Sequence, residues 1–173
     1  AFVDAGLTSF DCADHYTCVE ELIGRFRRAY PDHAKQLQVH TKCVPDDDRL
    51  ASCDRAYLEA IIDRSLQRLR IERLDLVQFH WWDYDRPGML DTAAWLHARQ
   101  RAGDIRHIGL TNCNTAAVEA IVGQVRGWLG PQSAEAARAA DLVQVIAGQP
   151  AKVILERARE NKSELIMLGA LRH

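Results

Sequence analysis

The chain has 173 residues, 47% of them hydrophobic and 27% charged, with a formal net charge of -2. This is the composition of an ordinary globular protein, long enough to bury a substantial core, with no basic patch to argue for nucleic acid. Its apolar runs, such as Leu165, Ile166, Met167 and Leu168, fall far short of the ~20 residues needed to span a bilayer. There is no signal-peptide pattern at the start, so the expected compartment is the cytoplasm. The first residue is Ala1 rather than methionine.

Six short apolar segments alternate with longer segments of helical spacing, the pattern of a parallel α/β sheet with crossover helices. In chain order the strands are expected at residues 7–11, 38–43, 76–81, 107–112, 142–147 and 165–169. Residues 20–30 read as a helix ending at Pro31, and residues 48–52 offer capping groups ahead of a second helix. That second helix, residues 55–69, places Leu58, Ile61, Ile62, Ser65, Leu66 and Leu69 on one face. Gly123, Gly127, Gly130 and Pro131 then cluster as turn formers, which marks residues 123–140 as a junction between a first unit, 1–122, and a second, 141–173. Pro150 suits the first turn of a helix in that second unit.

The five cysteines, Cys12, Cys18, Cys43, Cys53 and Cys113, include no CxxC pair, so reduced thiols are expected rather than a disulfide framework or zinc ribbon. Cys12, Cys43, Cys113 and His80 all fall near strand ends and could be imagined as a soft-metal site. Alternation along the strands argues against it. If Asp11, Lys42 and His80 point into a barrel, Cys12 and Cys43 point outward toward the helices. No metal is expected.

Asp11, Tyr16, Lys42 and His80 sit at or just beyond the carboxyl ends of successive strands, where α/β barrels place their chemistry. Carbonyl reduction needs an acid to protonate the oxygen as hydride attacks the carbon, and a phenol can serve if a neighbouring cation favours its ionised form. Lys42 could supply the cation, Asp11 could anchor it, and His80 could orient the substrate oxygen. Trp81 and Trp82 adjoin His80. One could wall a substrate pocket while the other packs between strand and helix.

The stretches GLTSFDCADHY, EELIGRF, VHTKC, DRSLQRLRIERLDLVQFHWWD and IRHIGLTNCN resemble those of aldo-keto reductases, in order and at matching intervals, over residues 1 to about 120. The resemblance implies a partial (β/α)8 (TIM) barrel and NADPH-dependent reduction of an aldehyde or ketone. It implies Tyr16 as proton donor, Lys42 and Asp11 as its electrostatic support, and His80 as the group that positions the carbonyl. Thr111 and Asn112 match the strand-end pair that holds the nicotinamide carboxamide in that family. Cys12 and Cys113 stand where the family commonly has threonine and phenylalanine, and Thr17 where glycine is frequent. The resemblance enters before the family's second strand and stops soon after its fifth. The later strands, which carry most of the cofactor's phosphate and adenosine site, have no counterpart. Four barrel strands cannot close a barrel, so self-association through open sheet edges is expected.

The tail DLVQVIAGQPAKVILERARENKSELIMLGALRH resembles the carboxyl-terminal part of the universal stress protein family, which implies a short flavodoxin-like α/β unit. The second glycine that follows Gly169 in nucleotide-binding members is here Arg172, so no ATP site is expected. Three functions follow as expectations. The first is an NADPH-dependent carbonyl reductase, impaired by the missing strands. The second is a non-catalytic scaffold or interaction protein derived from one, and the third a nucleotide-binding stress-response module resting on the tail.

Overall fold

The computed structural model describes residues 2–129. The strands expected at 142–147 and 165–169, the helix opened by Pro150 and the flavodoxin-like unit lie outside the described residues. Within them, four strands alternate with helices: β1 (Ser9–Asp11), α1 (Val19–Ala29), a one-turn α2 (Pro31–Ala34), β2 (Gln38–Cys43), α3 (Arg55–Leu69), β3 (Leu74–Phe79), α4 (Met89–Ala102), β4 (Ile105–Leu110) and α5 (Thr115–Leu129). Short 3-10 turns cover Val3–Ala5 and Asp47–Ser52.

All pairings are parallel and the sheet order is β1-β2-β3-β4. A sheet whose strands follow one another without reversal, joined by right-handed crossovers, carries its helices on one face. The core lies accordingly. Val39 and Cys43 of β2 and Val77 and Phe79 of β3 pack with Leu58, Ile61, Ile62 and Leu69 of α3, Leu96 of α4 and Ile121 of α5. Each such aliphatic side chain stabilises the fold by about 1.5–3 kcal/mol through burial. The alternate residues turn to the other face, where registered pairing sets Lys42 beside Gln78 and Gln78 beside Gly109. Cys12 and Cys43 are fully buried on the helix side, the placement expected from alternation.

Several boundaries differ from expectation for local reasons. β1 starts at Ser9, with Leu7 half exposed. The cap of α3 is Asp54, whose carboxylate accepts from the Tyr57 amide at 2.8 Å, and residues 48–52 instead form most of the preceding 3-10 turn. α1 ends at Ala29, and Pro31, rather than merely stopping that helix, opens α2. His80 lies one residue past β3, yet its amide still bonds the Cys43 carbonyl at 3.1 Å, so its position is as fixed as a strand residue's.

α1 and α3 cross closely at Gly24. A Cβ there would lie 1.9 Å from the Arg68 carbonyl oxygen, so backbone, not a flexible side chain, requires the glycine. Among the described residues β1 and β4 each pair on one side only. No described helix is long and apolar enough to cross a membrane.

Candidate functional site

The carboxyl ends of the four strands gather the expected residues on one rim. Asp11 closes β1, Lys42 is next to last in β2, His80 follows β3, and Thr111 and Asn112 follow β4. The chain leaving β1 stays registered with β2, because the Cys12 amide bonds the His40 carbonyl at 2.8 Å and the Asp14 amide the Lys42 carbonyl at 3.3 Å. That hold defines the start of the turn carrying Tyr16, whose own amide bonds the Ala13 carbonyl at 3.1 Å.

Lys42 is the hub. Its ammonium donates to Asp11 Oδ2 at 2.6 Å and to the Cys12 carbonyl at 2.8 Å, and it lies 5.3 Å from the centroid of the Tyr16 ring. The Lys42 side chain is 13% exposed and that of Asp11 46%, so the cation is largely enclosed while its counter-ion still meets solvent. Tyr16 is 41% exposed and packs edge-on against His15, ring centroids 4.9 Å apart.

His80 is buried, and burial depresses its pKa below the usual imidazole value, with the positive fields of His15 and Lys42 acting the same way. A neutral ring, able to donate one hydrogen bond, is the form this favours at neutral pH. Its Nε2 lies 3.5 Å from Asn112 Nδ2. Asn112 sits at φ 53, a left-handed conformation that asparagine tolerates better than most residues, and its carbonyl accepts from the Tyr84 hydroxyl. The Thr111 amide donates to the Phe79 carbonyl at 3.1 Å.

The two tryptophans divide their tasks. Trp82 is half exposed, packs against His80 with centroids 4.3 Å apart and rings tilted by 49°, and donates from Nε1 to the Pro45 carbonyl at 3.0 Å. Trp81 is fully buried against Phe79 in the core. Of the two tryptophans, one expected at a pocket and the other packed between strand and helix, Trp81 is the one whose large apolar surface is consumed by packing.

Sequence reasoning missed a second layer. Gln78 donates from Nε2 to Asp11 Oδ1 at 3.0 Å. Beneath the Tyr16 turn, Asp14 and Glu20 are buried carboxylates. Asp14 accepts from the Val44 amide at 3.2 Å and lies 3.5 Å from His15 and 3.6 Å from Arg64. Glu20 accepts from the Thr41 hydroxyl at 2.6 Å and lies 3.5 Å from Arg68, which also donates to the Asp14 carbonyl at 2.7 Å. The available signal was a Glu in the first turn of α1 and a Thr on the helix side of β2, polar residues at positions that periodicity makes internal.

Burial pushes the Asp14 carboxyl up from 3.8 to about 6 despite the opposing pull of His15 and Arg64, because desolvation of a carboxylate this enclosed outweighs cations at ion-pair rather than hydrogen-bond distance. Between those two values the folded state binds more protons than the unfolded one, so stability declines as pH rises from about 4 to 6. Asp14→Asn keeps the acceptor for Val44 and is expected to flatten this window. Thermal unfolding of both proteins from pH 3.5 to 7 checks it, and parallel curves would contradict it.

Among the described residues no group of three or more His, Cys, Asp or Glu could hold a metal ion. At the end of β4, by contrast, Asn112 offers an amide with both donor and acceptor capacity beside His80. Its chemistry matches a carboxamide, so the residues present fit the nicotinamide end of a dinucleotide.

The Aldo/keto reductase family matches residues 1–146. The chain belongs to the aldo/keto reductase family. Its strand order and one-sided helices are those of a segment of that family's TIM barrel. The match continues past residue 122 and into the tail, taking in the first six residues of the unit expected at 141–173.

The chain is 29% identical over 136 residues to the L-glyceraldehyde 3-phosphate reductase of Escherichia coli K12, covering 74% of this chain and 39% of that protein. It is 32% identical over 117 residues to aldo-keto reductase YhdN of Bacillus subtilis 168, covering 65% of this chain and 35% of that one. An aldo/keto reductase from Klebsiella pneumoniae, solved in complex with NADP and acetate, superimposes with a TM-score of 0.56 at 27% identity, covering 68% of this chain and 39% of the other. The chain thus spans about two-fifths of the length of such relatives.

Proposed function

We propose that this chain carries the proton-donating side of an NADPH-dependent reduction of aldehydes or ketones. The observation that supports it most is the enclosed Lys42 ammonium, bonded to Asp11 at 2.6 Å and 5.3 Å from the Tyr16 ring centroid. In this reading the substrate carbonyl lies between Tyr16 and His80. His80, neutral and packed against Trp82, donates a hydrogen bond to the carbonyl oxygen, and Trp82 walls the pocket. Tyr16 gives that oxygen a proton, and the positive charge of Lys42 stabilises the phenolate left behind. Asp11 keeps Lys42 in place. When bound, NADPH supplies the hydride, with Thr111 and Asn112 holding its carboxamide.

Support for NADPH comes from family membership and from the Klebsiella pneumoniae relative's NADP complex. Titration with NADPH, followed by nicotinamide fluorescence, is expected to saturate, and adding a reactive aldehyde is expected to consume the cofactor. Absence of saturation at millimolar cofactor would sink the reading.

The stress-response alternative rests on residues 141–173, of which the family match already claims 141–146. The sides of β1 and β4 that pair with no strand among the described residues are expected to drive self-association. Light scattering should then give a mass well above the 19.5 kDa of one chain, and a monomer across micromolar concentrations would contradict it.

A further inference from the structure

The carboxylate of Asp11 has two oxygens, and the structure gives each a different donor. Oδ2 receives the Lys42 ammonium at 2.6 Å and Oδ1 receives the Gln78 amide at 3.0 Å. The direction of the second bond is not ambiguous. A carboxylate offers only acceptors, so the amide must present its NH2 group. Gln78 is registered directly opposite Lys42 across β2 and β3, and it sits two residues before His80 on the same strand face. One central strand thus supplies the donor that fixes Asp11 and the imidazole that lies across the site.

Exposure makes this second bond matter. The Asp11 side chain is 46% exposed and ends a three-residue strand, so a single bond to a flexible lysine would leave the carboxylate free to rotate toward water. A second donor from a rigid central strand fixes its plane, and charge-assisted bonds of this kind are the stronger ones. Among the described residues Asp11 is the one carboxylate bonded to Lys42, whose further contacts are the neutral Cys12 carbonyl and the Tyr16 ring.

We propose that Gln78 is a positioning residue of the reductase site, holding the Asp11 carboxylate so that Lys42 stays directed at Tyr16. This deepens the reductase reading and rests on it for its catalytic consequence. Gln78 acts through Asp11 and Lys42.

Two variants test it. Gln78→Leu removes the donor at similar volume, and Gln78→Glu keeps the shape but presents acceptors to Asp11 at neutral pH. Two readouts separate this proposal from the reductase reading. Trace acetylation, read by mass spectrometry with the exposed Lys35 as internal reference, reports how firmly Lys42 is held whether or not the protein turns over. Gln78→Leu is expected to raise Lys42 labelling relative to Lys35 several-fold, in line with the loss of one hydrogen bond to a charged group, whereas Gln78→Glu, whose added carboxylate favours the protonated ammonium, is read by kcat. Unchanged labelling in Gln78→Leu would overturn the proposal.

In aldehyde reduction kcat is expected to fall about tenfold with little change in KM, because the interaction serves the transition state rather than binding. Raised labelling with unchanged kcat would reduce Gln78 to a structural residue and also overturn the proposal. A wild-type protein without turnover would sink the reductase reading alone, leaving the labelling to decide whether Gln78 holds the pair.

Discussion

Tyr16→Phe is expected to lower kcat for aldehyde reduction by about 10²–10⁴-fold, the range associated with loss of a general acid, while leaving NADPH affinity within a few-fold of wild type. The substitution removes one hydroxyl from a side chain that is 41% exposed in a turn. Fold and ring packing against His15 should survive, which circular dichroism would verify. The separation of effects is the informative part. The proposed cofactor contacts belong to Thr111 and Asn112 after β4, whereas Tyr16 follows β1, three strands away in the sheet order. Equal losses of binding and turnover would indicate a disturbed site rather than a missing proton. Turnover unaffected by the change would contradict the assigned mechanism outright, since the phenol is its only proton donor.

Arg68→Met is expected to cost about 3–5 kcal/mol of stability, the scale for removing one partner of a buried ion pair. Glu20 is fully buried, with the Thr41 hydroxyl on one oxygen and Arg68 near the other. Methionine preserves most of the aliphatic stem but leaves the carboxylate facing a neutral group. The same guanidinium bonds the Asp14 carbonyl at 2.7 Å and Glu21 at 2.8 Å, so its loss also loosens the turn that carries Tyr16. Adding Glu20→Gln to Arg68→Met should recover part of the loss, because the uncompensated charge is gone. Urea unfolding of the three variants measures this. A change below about 1 kcal/mol for Arg68→Met would place the pair with ordinary surface ion pairs.

Elements governed by a single local pattern were legible in the sequence. β2 and α3 fall where alternation and helical spacing put them, at residues 38–43 and 55–69. The rim of Asp11, Lys42, His80, Thr111 and Asn112 was legible too, because strand ends in a parallel sheet converge whatever their separation in sequence. β3 and β4 were read two residues late. Their pairing begins where Leu74 meets Ile105, and Asp75, whose carboxylate accepts from the Val39 amide at 3.0 Å, looks polar enough in sequence to precede the strand. Trp81 extends the apolar run past the last paired residue, because it packs into the core from the loop.

What escaped the sequence was the layer behind the rim. Gln78 and Asp11 are 67 residues apart, and Arg68 and Asp14 are 54 apart. Their side chains meet only because register and helix crossing bring them together, and no local period encodes that. A glutamine on a strand and an arginine on a helix have many ordinary placements, whereas a tyrosine, a lysine and a histidine at successive strand ends have few.

The central claim, that this chain uses a nicotinamide hydride to reduce a carbonyl, is tested most directly by incubating it with NADPH in which both C4 hydrogens are deuterium and a reactive aldehyde, then analysing the alcohol by mass spectrometry. The account predicts alcohol carrying one deuterium on the former carbonyl carbon, formed by wild type and nearly absent with Tyr16→Phe. Alcohol without deuterium, or none formed at saturating cofactor, would contradict it.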